Sequence, residues 1–273
     1  MPLSKSEFKS ANYITLRQFQ GGWIWLKNIN EISARIIPSL QSLSTEKLHD
    51  IANLMRGELL PWQIFDDTQW VLRFTPLPEF IILIVFNHDD EFGSALKIFY
   101  HKSSLKIPTE DAYVFTEIFL EILGQFAKHG VAQAALNQFY DELISFPALL
   151  EIIDPTNKEK MWNDIIGQRE APLLKIDRNT AKKISISLEA EFLSGKWYSN
   201  ELEWGLKFNI LNNLDLYTLL PLDRQNFQIY YTKNVLNFES RRILFFIWLY
   251  CNAIIREARN ILGEVLPKLS DYL

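Results

Sequence analysis

The residues of this chain best suited to chemistry are two of its four histidines and a few paired carboxylates. His88 and His101 flank a polar stretch that holds Asp89, Asp90 and Glu91. Imidazoles beside carboxylates are the donor set of a zinc or iron site. Their spacing fits no metal motif, and a solvated acidic turn with a surface histidine is the simpler reading. No metal site is therefore assigned. The pairs Asp66–Asp67, Asp89–Asp90 and Glu110–Asp111 could in principle do acid–base work. That chemistry needs one carboxyl buried and shifted, whereas side chains of adjacent turn residues diverge into water.

Nucleophiles and phosphate cradles are equally sparse. The single cysteine, Cys251, stands inside an apolar run and is expected to be buried and inert. One thiol forms neither an internal disulfide nor a thiolate metal cage. Gly21–Gly22 is the only glycine pair, and no GKS/GKT, G-x-G-x-x-G or G-x-S-x-G string occurs. No catalytic residue and no cofactor is assigned.

Composition turns attention from single residues to surfaces. The hydrophobic fraction of 48% is enough for a real core. The aromatic fraction of 14% is high, with eight Trp and nineteen Phe, and implies a sticky surface somewhere. A net charge of −5, with no Lys/Arg run beyond Lys182–Lys183 or Arg241–Arg242, argues against a phosphate-backbone reader. The longest apolar run of the C-terminal half, ILFFIWLYC at 243–251, is nine residues, against the roughly 20 a spanning helix needs. The start, MPLSKSEFKSANY, has no apolar h-region, so a cytoplasmic location without a membrane span is expected.

The elements that must position any site read as follows. A hairpin is expected around Gly21–Gly22, then helices over 29–42 and 45–58, the second capped by Ser44. Strands are expected at Trp62–Phe65, Gln69–Thr75, Glu79–Phe86 and Ala95–His101, with FIILIVF at 80–86 central and buried on both faces. Thr109 opens a helix to about 128, and a second runs over 131–146. Residues 157–169 read as a further helix, and Asn179 caps another that Gly195 ends. The last strands are Glu203–Leu211, Asp215–Leu220 and Phe227–Lys233, before a long helix over 239–263. That helix is apolar on nearly all sides, as one lying centrally between two lobes would be.

An internal echo organises these elements. WVLRF at 70–74 returns as WGLKF at 204–208, Trp62 as Trp197, and IFYHKSSL at 98–105 as IYYTKNVL at 229–236, which sets Tyr100 against Tyr231. Ser44, Lys47 and Ile51 stand against Asn179, Lys182 and Ile186. Chance matches are common between aromatic-rich segments, but these stay collinear while the offset drifts only from 135 to 131. A period this long means domain duplication rather than a solenoid. The expected fold is α+β, with two helix–antiparallel-sheet–helix lobes packed about a pseudo-two-fold axis. The expected boundaries are an N-terminal extension at 1–43, a first lobe at 44–146, a helical connector at 147–178 and a second lobe at 179–273. In element order such lobes resemble secretion-chaperone-like and related bacterial adaptor folds.

These observations favour a binding or adaptor module over an enzyme. Its expected partner is a protein segment, or a second copy of the chain, docked on an aromatic-lined groove, and no nucleic acid. The candidate surface residues are Trp23, Trp25, Trp62, Trp197, Tyr100 and Tyr231. The alternative is an enzyme or small-ligand binder with its pocket between the lobes.

Overall fold

The run FIILIVF lacks polar alternation because it lies in the middle of a sheet. The computed structural model describes residues 13–130, 142–198 and 200–263. Its first sheet contains β1 (Tyr13–Ile14), β2 (Gly57–Leu60), β3 (Thr68–Leu77), β4 (Phe80–Asp89) and β5 (Gly93–His101). These are antiparallel in the order β1-β5-β4-β3-β2, so the apolar β4 is central. A second sheet contains β6 (Leu143–Ser145), β7 (Glu191–Trp197), β8 (Asn200–Leu211), β9 (Leu214–Pro221) and β10 (Gln228–Thr232). Its order is β6-β10-β9-β8-β7, the same topology. The chain divides into two compact units, Met1–Leu136 and Asn137–Leu273, one sheet in each. The fold class is α+β.

Helices cover one face of each sheet. The first unit has α1 (Leu26–Leu40), α2 (Thr45–Leu54) and α3 (Thr109–His129). The second has α4 (Phe146–Ile153), α5 (Lys158–Trp162), a π-helical turn (Asn163–Gly167), α6 (Gln168–Leu174), α7 (Arg178–Ser187) and α8 (Phe245–Leu262). The long helices α3 and α8 do the covering. Phe115 and Phe119 of α3 meet Phe80 and Phe74 with ring centroids 5.2 and 5.0 Å apart. Tyr250 of α8 meets Phe208 at 4.6 Å. The all-round apolar character of α8 is thus used within its own unit, against β8, α6 and α7. Among the described residues no helix is long and apolar enough to cross a membrane.

Several boundaries differ from expectation for identifiable reasons. The expected strand at Trp62–Phe65 is instead β2 at Gly57–Leu60. Pro61, which has no N–H for the ladder, stands at its end. Gly21 takes a positive φ of 73°, yet it opens a 3-10 turn that feeds α1, not a hairpin. Residues 143–145, expected in a helix over 131–146, form β6, and the preceding part of that stretch lies outside the described residues. Ser145 then caps α4 by accepting the Ala148 N–H. Asp177, not Asn179, caps α7, accepting the Thr180 N–H at 2.7 Å, and Gly195 lies within strand β7.

Residues 13–40 are no extension, since β1 completes the first sheet and α1 packs on α3. Residues 147–178 are no connector: Leu149, Ile165, Ile166, Leu173 and Ile176 are fully buried.

The echo survives in three dimensions with corrected registers. Both meanders bulge immediately before their tryptophan, between Thr68 and Trp70 and between Leu202 and Trp204. Glu58 faces Arg73 and pairs with it at 2.5 Å, while Glu191 faces Lys207 and pairs with it at 3.6 Å. Ile14 lies opposite Tyr100, as Ile144 does opposite Tyr231. The cap residues Ser44 and Asp177 are 133 apart, so Ile51 corresponds to the buried Ile184. Ile186, its expected counterpart, is 75% exposed.

One glycine sets the approach of α1 to α3. A Cβ on Gly124 would stand 2.5 Å from Ile36 Cγ2. Gly124→Ala should therefore destabilise the chain by about 1–2 kcal/mol, overpacking exceeding the helix-propensity gain of about 1 kcal/mol. Urea denaturation checks this, and Ile36→Ala in the same chain should recover part of the loss relative to Ile36→Ala alone.

Candidate functional site

Sheet parity decides which aromatic residues are available to a partner. Tyr100 and Tyr231 point to the helix-covered faces and are 1% and 0% exposed. The Tyr100 hydroxyl bonds Thr116 Oγ1 at 2.7 Å, and the Tyr231 hydroxyl donates to the Ile243 carbonyl at 3.0 Å. Burial pushes both phenols well above the ordinary tyrosine range. Both are core residues and leave the candidate surface. Trp25 is half-buried, stacked on Tyr113 with centroids 4.4 Å apart, whereas its neighbour Trp23 is 70% exposed.

Trp62 and Trp197 share a role that the strings alone do not reveal. Trp62 follows the first strand of its meander, Trp197 ends the first strand of its own, and both lie over the sheet face away from the helices. In the first unit Val71, Leu83 and Val85 form that face, and Ile64 joins them from the β2–β3 connection, all at 0–1% exposure. Trp62, Phe65, Phe99, Leu60 and Tyr13 pack over this cluster, half-buried. Trp62 meets the Tyr13 ring edge-on at 6.3 Å, and Lys97 lies 4.0 Å from the Phe65 ring centre. This outer face is an aliphatic core under an aromatic cover.

The same face of the second sheet has different contents. By register, Gly205, Tyr217 and Tyr230 occupy the places of Val71, Leu83 and Phe99. A Cβ on Gly205 would meet Leu219 Cδ2 at 2.6 Å, because the flanking leucines close over the gap. The β7–β8 hairpin brings Trp197 over the rings, with centroids 5.4 Å from Tyr230 and 5.9 Å from Tyr217. Tyr198 follows at the tip, edge-on to Trp197 at 4.7 Å, with a positive φ of 49° and 68% exposure. Trp197 pairs with Asn200 across this turn, and a two-residue hairpin turn calls for a positive φ there.

Charge at this face is neutralised locally. Lys207 reaches Asp215 at 3.3 Å and Glu191 at 3.6 Å, and its ammonium lies 5.7 Å from the Tyr217 ring centre. Partial burial lowers the Lys207 pKa, but Asp215, Tyr217 and Glu191 outweigh this and hold it above the ordinary lysine value. The result is four rings, three of them half-buried, with phenol and indole edges for hydrogen bonds and no dominant charge.

Sequence reasoning named Trp197 and missed Tyr198, Tyr217 and Tyr230. The available signal was parity: once Tyr231 is placed inward with Trp204, Leu206 and Phe208, its neighbour Tyr230 must face outward.

The histidines do not converge. β5 runs from the partner of His88 at Ser94 to His101, a separation of about 23 Å at 3.3 Å per residue. His88 Nδ1 bonds Ser94 Oγ at 2.9 Å, while His101 Nδ1 accepts the Ser103 N–H at 3.2 Å. Asp89 accepts the N–H groups of Glu91 and Phe92, which holds its carboxyl below the usual range and closes the 89–93 turn. Among the described residues no three His, Cys, Asp or Glu side chains gather to hold a metal ion. Cys251 is fully buried, and burial pushes its thiol up to about 12.

An α+β chain of two sheet-bearing units, each with half-buried rings on its outer sheet face, is the class that fold and site define. Residues 4–121 match a family described as "Domain of unknown function (DUF3786)", a similarity that covers less than half of the chain and falls within the first unit. No curated protein and no solved structure matches the chain.

Alkali tests the buried groups. Cys251, Tyr100 and Tyr231 are all raised in the folded state, so each holds its proton while the unfolded chain loses it. Their contribution is complete below the unfolded pKa values and is lost as pH rises. Urea-unfolding free energy should fall above about pH 9 for the thiol and about pH 10 for the phenols, at about 1.4 kcal/mol per pH unit per group. Thiol reagents at pH 8 should label Cys251 only after denaturation.

Proposed function

We propose that this chain is a non-enzymatic binding module that docks an extended protein segment on the outer face of its second sheet. Trp197, Tyr198, Tyr217 and Tyr230 form the contact surface. The observation that carries the reading is the contrast between two topologically equivalent faces. In the first, half-buried rings cover Ile64, Val71, Leu83 and Val85, while in the second Gly205, Tyr217 and Tyr230 take the places of Val71, Leu83 and Phe99, Trp197 lies against both tyrosines, and Tyr198 beside it is 68% exposed.

Tyrosine and tryptophan suit such a role. Both bring large contact area with few rotatable bonds, and both keep a hydrogen-bonding edge. Rings set edge-on to one another leave ridges between which an extended segment can lie, as proline-rich segments do in aromatic-lined grooves. With Lys207 neutralised by Asp215 and Glu191, apolar contact and phenol hydrogen bonds would supply the recognition. The same reading takes the two units as copies of one ancestral unit, the second having diverged toward binding.

An array of extended proline-rich and aliphatic peptides, probed with the full chain, should return ligands whose affinity falls at least tenfold in the double variant Trp197→Ala, Tyr230→Phe. Trp62→Ala should leave their binding unchanged. A peptide set that responds equally to all three proteins, or no ligand at all, would overturn the reading.

A further inference from the structure

The two most exposed large apolar side chains among the described residues lie one in each unit. Phe92 is 84% exposed at the tip of the β4–β5 hairpin, and Ile186 is 75% exposed on α7. Single exposed apolar residues are ordinary. What sets these two apart is that their charged neighbours are opposite in sign.

The hairpin tip holds its side chains in place. Asp89 pairs with Gly93 across the strands, which leaves a three-residue loop, and Gly93 takes the positive φ of 78° that such a loop calls for. The Asp89 carboxyl is engaged within the turn by the Glu91 and Phe92 N–H groups. Asp90 and Glu91 are then the carboxylates presented beside Phe92. Among the described residues Asp90 reaches only His88, at 3.8 Å, and Glu91 enters no ion pair.

Helix α7 presents the opposite arrangement. Ala181, Ile184 and Leu188 bury one side of it. The other side carries the exposed Lys182, Lys183 and Ile186, and the spacing of three and four residues sets both lysines one turn from the isoleucine. Neither lysine enters an ion pair among the described residues.

A phenyl ring flanked by two carboxylates complements an isoleucine flanked by two ammonium groups, apolar on apolar and acid on base. Every chain carries both halves, so a second copy supplies the complement of each. We propose that copies of this chain associate head to tail, the Asp90–Glu91–Phe92 tip of one docking on the Lys182–Lys183–Ile186 face of the next. A contact of this kind joins two different surfaces, so it closes into a ring or extends as an open chain. The contact is small and rimmed by exposed charge, which makes the association weak and sensitive to salt. It uses neither Trp197 nor the tyrosines of the second sheet.

Sedimentation velocity on the full chain tests this. At about 50 mM salt the weight-average coefficient should rise with concentration, with a dissociation constant on the order of 10–500 μM, and at about 500 mM salt the association should weaken at least tenfold. The variant Asp90→Lys, Glu91→Lys should sediment as a monomer, and so should Lys182→Glu, Lys183→Glu. Mixed, the two should associate again, because the second keeps the intact tip and the first keeps the intact α7 face. Phe92→Ser should weaken association at least fivefold with an unchanged melting temperature. Four results would each overturn the assignment: an unaltered chain that stays monomeric at low salt, association indifferent to salt, charge-reversed variants that associate like the unaltered chain, or a mixture that remains monomeric.

Discussion

The docking of one long apolar helix on the inner face of each antiparallel meander is the constraint from which the rest of the structure follows. In the first unit Phe115 and Phe119 of α3 lie on Phe80 and Phe74. In the second, Tyr250 of α8 lies on Phe208. Each fully buried aromatic contributes about 1.5–3 kcal/mol by area alone, and ring pairs add about 0.5–1.5 kcal/mol. Because strand side chains alternate, committing one face to the helix fixes every residue on the other. The buried hydroxyls of Tyr100 and Tyr231 are part of this commitment, satisfied by Thr116 and by the Ile243 carbonyl. A slip of one residue would expose them and bury Arg73 or Lys207 instead.

What remains free to vary is the outer face, and the two units use it differently. The cross-strand pairs Glu58–Arg73 and Glu191–Lys207 recur at matched positions, as do the bulges before Trp70 and Trp204. On that common frame the first unit places Val71 and Leu83 under Trp62, and the second places Gly205 among Leu193, Leu202 and Leu219 and sets Tyr217 against Trp197. Small changes at outward positions leave the helix-facing core untouched. The two outer faces therefore differ in ring content, tyrosines standing where the first has aliphatic and phenyl side chains, with no difference of topology.

The element types were largely legible because their causes are local. FIILIVF could only be a central strand, and Gly263, with a φ of 70°, ends α8 where the pattern stops. Boundaries set by competition between local signals were not. Asn179 and Asp177 both make good caps, and Asp177 prevails by accepting the Thr180 N–H. Residues 143–145 form a strand because β10 offers them an edge to pair with, a fact no window around them contains. The candidate surface failed in part for the same kind of reason. Tyr100 and Tyr231 were recognised as equivalent, but equivalence says nothing of facing, and both face inward.

By itself the sequence determined the fold class, the echo of Trp70 and Trp204, and the burial of Cys251, since period, repeat and apolar context are properties of the string. Tertiary structure decided the rest. It placed His88 at the end of β4 and His101 at the far end of the neighbouring β5, and it folded the β7–β8 hairpin so that Trp197 meets Tyr217 and Tyr230. These residues lie far apart along the chain. Only strand pairing and helix docking, which act across long loops, bring them within reach of one another.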